Sequence, residues 1–309
     1  MTVYLPIAEL TVNLFLILGI GTAVGFISGL FGVGGGFLLT PLLIFSGISP
    51  AVVVASEASQ IAATAFSGAL AYARRSLIDY RLGAVLVSGG VAGSLLGVWL
   101  FSLLRRVGQL DFAIGIAYVI LLGGIGILML KEAVGTMRAK LSGAPPPALR
   151  KGGDHGWAHG LPFKMRFHKS KLYMSVLPII ALGAAIGMIG SVLGVGGGFL
   201  TVPALIYLFR VPTTVAIGVS LFYTVITMSA ASLLHATTNL TVDIVLSLLL
   251  MIGGVVGAQY GASVGQQMKG EELRALLALL ILAVAGRFFY EFVAIPERLY
   301  SISIPDVWS

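Results

Sequence analysis

One ten-residue phrase occurs twice in this chain, as GVGGGFLLTP over Gly32–Pro41 and as GVGGGFLTVP over Gly194–Pro203. Each copy interrupts an apolar run too long for a soluble domain. A glycine cluster at a break in a membrane helix places backbone polar groups where a solute can reach them. Two copies, 162 residues apart, imply a duplicated membrane transporter with two half-sites, and any fold has to seat both.

Composition agrees with a lipid environment. Of the 309 residues, 58% are hydrophobic and 10% charged, where a soluble domain carries about 25% charged residues. Glycine, at 41 residues, is a means of close helix approach in a bilayer, where packing rather than water exclusion joins helices. The absence of cysteine excludes disulfides and cysteine–metal sites. The first apolar run follows neither a basic stretch nor a small-residue cleavage site, so it reads as a retained span rather than a signal peptide.

Apolar segments run over 12–31, 34–48, 52–73, 82–104 and 111–131, then over 172–193, 196–209, 213–236, 242–265 and 272–293. Most approach the roughly 20 residues that cross the hydrocarbon. The second and seventh are shorter and suit a tilted span, half of a broken helix or a re-entrant hairpin. If all ten cross, 15 of the 19 Lys and Arg residues share one side, with Arg105, Arg106 and Arg298 opposite and Arg287 inside a span. If the short segments re-enter, that side holds 13. The positive-inside rule favours the first arrangement, with the middle loop cytoplasmic and both termini outside. The net charge of +7 is thus a loop bias, and nucleic acid is not an expected partner.

The expected fold is an all-α polytopic membrane protein of two homologous halves, arranged as inverted repeats of five membrane segments each. It makes eight to ten crossings, with one short or broken segment per half. Its parts are a first transmembrane repeat (1–131), a basic cytoplasmic linker (132–171) and a second repeat (172–309). The duplication continues in Gly89–Gly93–Gly97 and Gly253–Gly257–Gly261, whose spacing puts glycine on one helical face for close packing. Within the linker, Asp154, His155 and His159 lack a convincing fourth ligand and read as solvated loop.

The glycine clusters fit neither a dinucleotide fingerprint, since Phe37 and Phe199 replace the third glycine, nor a phosphate loop. In a membrane, each would leave the helical path and start a new helix. The first N–H groups of that helix lack partners and carry partial positive charge, a natural seat for an anion. Glu57, Gln60, Thr64 and Ser67 form a polar stripe in the following span, with Ser220, Thr224 and Thr227 as an uncharged counterpart. An acid inside a membrane is a functional candidate by default, so Glu57 reads either as a carrier of a coupling proton or, near the interface, as a cap on a neighbouring helix. At the 162-residue spacing Glu57 meets Val219, so the spans carry no paired acids. Asp79 and Asp243 read as N-caps, Arg287 as a snorkelling residue, and Trp99 and Trp308 as interface anchors.

The candidate substrate set is Gly34, Gly35, Gly36, Thr40, Ser59 and Gln60 from the first half. From the second half come Gly196, Gly197, Gly198, Thr201, Ser220 and Thr224. Glu57 and His235 are coupling candidates. No catalytic set, cofactor or metal is expected.

The paired GLFGVGGGFLLTP and SVLGVGGGFLTVP, with the later GGVAG and GGVVG, resemble the TauE/SafE family of sulfite and organosulfonate exporters over nearly the whole chain except the middle loop. The motif residues are Gly32, Gly34 to Gly36 and Pro41, with Gly194, Gly196 to Gly198 and Pro203. Ser56, Ser59 and Ser220 match small polar positions that follow. The long basic middle loop departs from the pattern. The resemblance implies a bacterial-type inner-membrane permease, without ATPase or cofactor, driven by an ion or proton gradient. Its partners would be a small inorganic or organosulfonate anion and the lipid bilayer, with a homo-oligomer left open. An anion channel and a noncatalytic membrane scaffold or assembly subunit are the competing readings.

Overall fold

In the computed structural model the apolar segments become helices at nearly the expected places. The described residues are 2–31, 35–141, 163–167, 169–170, 172–265 and 270–293. The first set is α1 (Leu14–Phe31), α2 (Gly36–Phe45), α3 (Pro50–Arg74), α4 (Tyr80–Arg106) and α5 (Leu110–Leu141). The second is α6 (Val176–Leu193), α7 (Gly197–Tyr207), α8 (Thr213–Leu234), α9 (Ile244–Gly265) and α10 (Gly270–Val293). A π-helical turn, His235–Asn239, extends α8. Among the described residues five helices are by themselves long and apolar enough to cross a membrane, within α4, α5, α6, α9 and α8 with its π turn. Helix α5 runs on to Leu141, past residue 131 and into the segment expected as linker.

Two antiparallel hairpins accompany the helices. Strands β1 (Thr2–Leu5) and β2 (Leu10–Asn13) precede α1, and β3 (Lys164–Phe167) and β4 (Leu172–Ser175) precede α6. They keep the 162-residue spacing of the glycine phrases. Asn13 and Ser175, at equivalent positions, cap the helices that follow: Asn13 Oδ1 accepts from Phe15 N at 3.0 Å and Ser175 Oγ from Leu177 N at 3.3 Å.

The two sets interlock. Helix α1 packs along α9, and α6 packs in the matching way along α4, so each set lends its first helix to the other. Glycine makes this approach possible. A Cβ on Gly25 would strike the backbone of Gly254, and one on Gly187 would strike that of Gly90. Gly93 and Gly257, inside the predicted glycine faces, lie against the backbones of Ala184 and Thr22. The hairpins repeat the exchange. Asp243 caps α9 at Leu246 N, 3.1 Å, and accepts from Ile7 N of the first hairpin at 2.9 Å. Asp79 caps α4 at Leu82 N, 3.3 Å, and accepts from Ser170 N and Oγ of the second hairpin at 3.1 and 2.8 Å. Both aspartates are therefore N-caps, as expected, and also ties between halves.

These contacts define two ends of the bundle. Ile7, Ser49, Arg105 and Asp111 line one recess at the upper end. Lys169 donates to Ser76 O and Ile78 O at the lower end, at 2.8 and 3.1 Å. Arg74, Arg75, Arg81, Lys164 and Arg166 lie on the elements that meet there. Between the ends, Trp99, Ile120, Leu128, Ile252 and Leu279 are exposed. Such a belt is insoluble in water and suited to lipid.

Candidate functional site

The glycine breaks meet inside the bundle. Helix α6 ends on Gly194 in the left-handed region (φ 71), and Gly196 (φ 76, ψ 144) caps α7. Only glycine adopts this pair of conformations at little cost. Gly36, which opens α2, lies against Gly194 O and Val195, while Phe37 stacks on Phe199 with centroids 4.6 Å apart. Helix α2 returns to the upper end and α7 to the lower end, each after a rise of about 15–17 Å. The breaks therefore lie inside the bundle, between its two ends. Pro41 and Pro203 are held inside these buried half-helices.

Around this junction the first half supplies a buried carboxyl. Glu57 is 0% exposed, and its Oε1 accepts from the Thr40 hydroxyl. Thr40 Oγ1 also lies 3.2 Å from Gly36 O and 3.3 Å from Leu193 O, the terminal carbonyl of α6. Tyr118 reaches in from α5 and donates to the same Leu193 O at 2.9 Å. A Cβ on Gly194 would collide with Glu57 Oε1, so the missing side chain makes room for the carboxyl. Glu57 Oε2 and Gln60 Oε1 are buried without a hydrogen-bond partner. An unpaired buried polar atom costs about 1–3 kcal/mol, so the free oxygen of Glu57 at the glycine junction is an expense that a ligand would remove.

The second half is built from hydroxyls. Thr201 Oγ1 donates to Gly197 O at 2.6 Å and Ser220 Oγ to Gly198 O at 3.4 Å. Thr224 Oγ1 lies against Gly197 and is another buried, unpaired atom. Tyr223 donates to Gly183 O at 2.8 Å and presses its ring on Gly90 and Gly197.

The structure thus gathers Gly36, Thr40, Glu57, Gly197, Gly198, Thr201, Ser220 and Thr224 at the junction. Gly35 closes the first turn of α2 by accepting from Leu38 N and Leu39 N, both at 3.1 Å. Gln60 lies one turn beyond Glu57, against Gly254, and Gly196 packs on Ile61. Gly34 lies outside the described residues, as do Asp154, His155, His159 and Trp308. Ser59 is half-buried and donates to Ser56 O at 2.8 Å, so its polar bond stays within α3. His235 sits at the upper end of α8. Its Nε2 is 3.0 Å from Ser191 O, its Nδ1 is 3.0 Å from Asn239 Nδ2, and its ring meets Phe101 edge-on. With the Asn239 amide nitrogen as donor, Nδ1 accepts from it and Nε2 is left to donate to Ser191 O.

Sequence reasoning did not single out Tyr118, although a lone phenol inside an apolar span needs a partner for its hydroxyl. It also paired Glu57 with Val219. Packing moves that equivalence by one residue. Gln60 and Thr64 lie on Gly254 as Tyr223 and Thr227 lie on Gly90, which matches Glu57 with Ser220. Among the described residues no group of three or more His, Cys, Asp or Glu gathers to hold a metal.

Comparison with known proteins agrees with this architecture. The family described as "Sulfite exporter TauE/SafE" matches residues 17–288. The Bacillus subtilis "Probable membrane transporter protein YunE" is 24% identical over 280 residues, covering 88% of this chain and 96% of that protein. A "Probable membrane transporter protein" of Xylella fastidiosa strain 9a5c is 28% identical over 277 residues, covering 88% of this chain and 94% of the relative. No solved structure matches the chain. The chain belongs to the sulfite exporter TauE/SafE family, among multi-pass membrane transport proteins rather than enzymes.

Proposed function

We propose that this TauE/SafE family member is a secondary transporter that exports small sulfur-containing anions, such as sulfite or organosulfonates, by alternating access. The observation that carries the reading is the junction itself. Two half-helices begin back to back inside the bundle, next to unpaired buried atoms of Glu57 and Thr224. Helix N-termini inside a membrane bundle attract an anion. The hydroxyls of Thr40, Thr201, Ser220 and Thr224 hydrogen-bond it without neutralising it.

The halves act as inverted repeats of five segments, and the interlocked helices α1, α9, α4 and α6 make the rigid frame between them. The lower end, rich in Arg and Lys, faces the cytoplasm together with the middle loop, so the protein sits in a bacterial inner membrane with both termini outside. An ion or proton gradient drives the cycle through Glu57, with His235 as a second coupling candidate.

The test is flux of sulfite, sulfate, thiosulfate, sulfoacetate, taurine and chloride through the purified protein in liposomes. Gradient-driven accumulation of sulfite or a sulfonate is the expected result. Passive leak alone would make the protein a channel, and movement of no anion in the panel would end the transport reading.

A further inference from the structure

We propose that Glu57, Thr40 and the end of α6 form a sodium site, filled from the upper end, which neutralises Glu57 so that the anion can bind beside it. The inference rests on the transport reading of Glu57 and names the ion. It starts from a shortage of hydrogens. The Thr40 hydroxyl has one hydrogen to give, and Glu57 Oε1, Gly36 O and Leu193 O all lie in reach of it. The remaining carboxyl oxygen, Glu57 Oε2, has no partner. Leu193 O also accepts from Tyr118, and one further proton on Glu57 serves only one of the oxygens gathered here. A hard cation is served by all of them, because such ions take carboxylate, hydroxyl and carbonyl oxygens as ligands.

Helix polarity points the same way. Leu193 is the last residue of α6, so the carbonyls of that turn carry the partial negative charge of a helix C-terminus. Broken membrane helices coordinate cations at such ends while their N-termini face anions. Here the C-terminus of α6 and the N-terminus of α7 are separated only by Gly194, Val195 and Gly196. One carboxylate supplies one negative charge, which suits a monovalent ion.

An opening lies near the site, closed from it by two stacked rings. A recess of about 390 Å³ at the upper end is lined by Asp111, Ile114, Ile48 and Phe288. Phe288 stacks on Tyr118 at 5.3 Å, and Tyr118 bonds the Leu193 carbonyl beside Thr40. The site is thus one aromatic layer below an opening with a carboxylate at its mouth. Without a cation, a charged Glu57 would repel the oxyanion at the junction; with one, the pair of charges becomes favourable.

Thermal unfolding of the purified wild-type protein in sodium, potassium or choline chloride, at constant pH and ionic strength, tests this. Wild type should gain about 2–4 °C in ~100 mM sodium alone. Glu57→Gln should lose that gain and Thr40→Val should reduce it; if Glu57→Gln does not fold, Thr40→Val decides. Equal melting in the three salts, or an undiminished sodium gain in the variants, overturns the site. Sulfite flux is then measured with sodium or choline chloride equal on both sides. Flux that is unchanged in choline overturns the sodium inference and leaves the transport reading standing. A sodium gain without flux of any anion upholds the site and overturns the transport reading.

Discussion

Glu57 on α3 and Ser220 on α8 occupy matching places, each three residues before the side chain that rests on a glycine of the opposite half. Ser220 is small, and its hydroxyl finds Gly198 O at 3.4 Å. Glu57 brings a carboxyl to the same position, binds Thr40 with one oxygen and leaves the other unpaired. The backbone around them repeats, with glycine breaks, half-helices, stacked phenylalanines and exchanged hairpins. Duplication therefore supplied the shape of the junction twice, and differences at a few positions, Glu57 against Ser220 among them, made its chemistry one-sided. A junction with two acids would repel an anion from both sides; one with two serines would have no charge to switch.

The largest expected effect separates those two residues. Glu57→Gln should lower sulfite flux in liposomes at least about 100-fold, which corresponds to about 2.7 kcal/mol on the transport barrier. Ser220→Ala should cost under about threefold, the value of one neutral hydrogen bond. Equal losses would mean that the halves share the work, and the contrast drawn above would fail.

The frame should respond alike in both halves. Gly25→Ala and Gly187→Ala each push a methyl group into a backbone across the interlock, at Gly254 and Gly90. Each should destabilise by about 1–3 kcal/mol, read as matching falls in Tm in detergent. A fall confined to one variant would show that the interlock is unequal.

Asp79→Asn and Asp243→Asn weaken a helix cap and a hairpin tie in opposite halves. We expect losses of about 1 kcal/mol for each, again by Tm. A much larger loss for one would identify the half whose hairpin the bundle depends on.

The smallest effect pairs two phenols. Tyr118→Phe and Tyr223→Phe each remove a hydroxyl bound to a backbone carbonyl, Leu193 O and Gly183 O, and should cost about 0.5–1.5 kcal/mol alike. Only Tyr118→Phe should also alter flux, because Leu193 O borders Thr40 and Glu57. A flux change in Tyr223→Phe alone would move the centre of the site into the second half.

Much of this was legible in the chain. Apolar runs marked the helices because lipid demands continuous apolar surface, and small residues four apart marked the close packings. Asp79 and Asp243 were legible as caps because an aspartate before an apolar helix has few other uses. The hairpins were not: β1 and β2 are four residues each and carry no strong alternation, and the turn between them bonds to the opposite half through Ile7. The pairing of Glu57 with Ser220 was hidden as well, since a one-residue shift between the halves is visible only from what each side chain touches.

The sequence by itself determined a duplicated, lipid-embedded helical protein with two glycine breaks, because composition and periodicity are local properties that the bilayer reads directly. The tertiary structure alone decided that the breaks face each other, that α1 and α6 change partners, and that Tyr118, Thr40 and Leu193 O converge on Glu57. Those are contacts between residues far apart in the chain, 153 positions for Thr40 and Leu193 and more than 200 for Gly25 and Gly254. Such contacts depend on how whole helices pack, which no local pattern encodes.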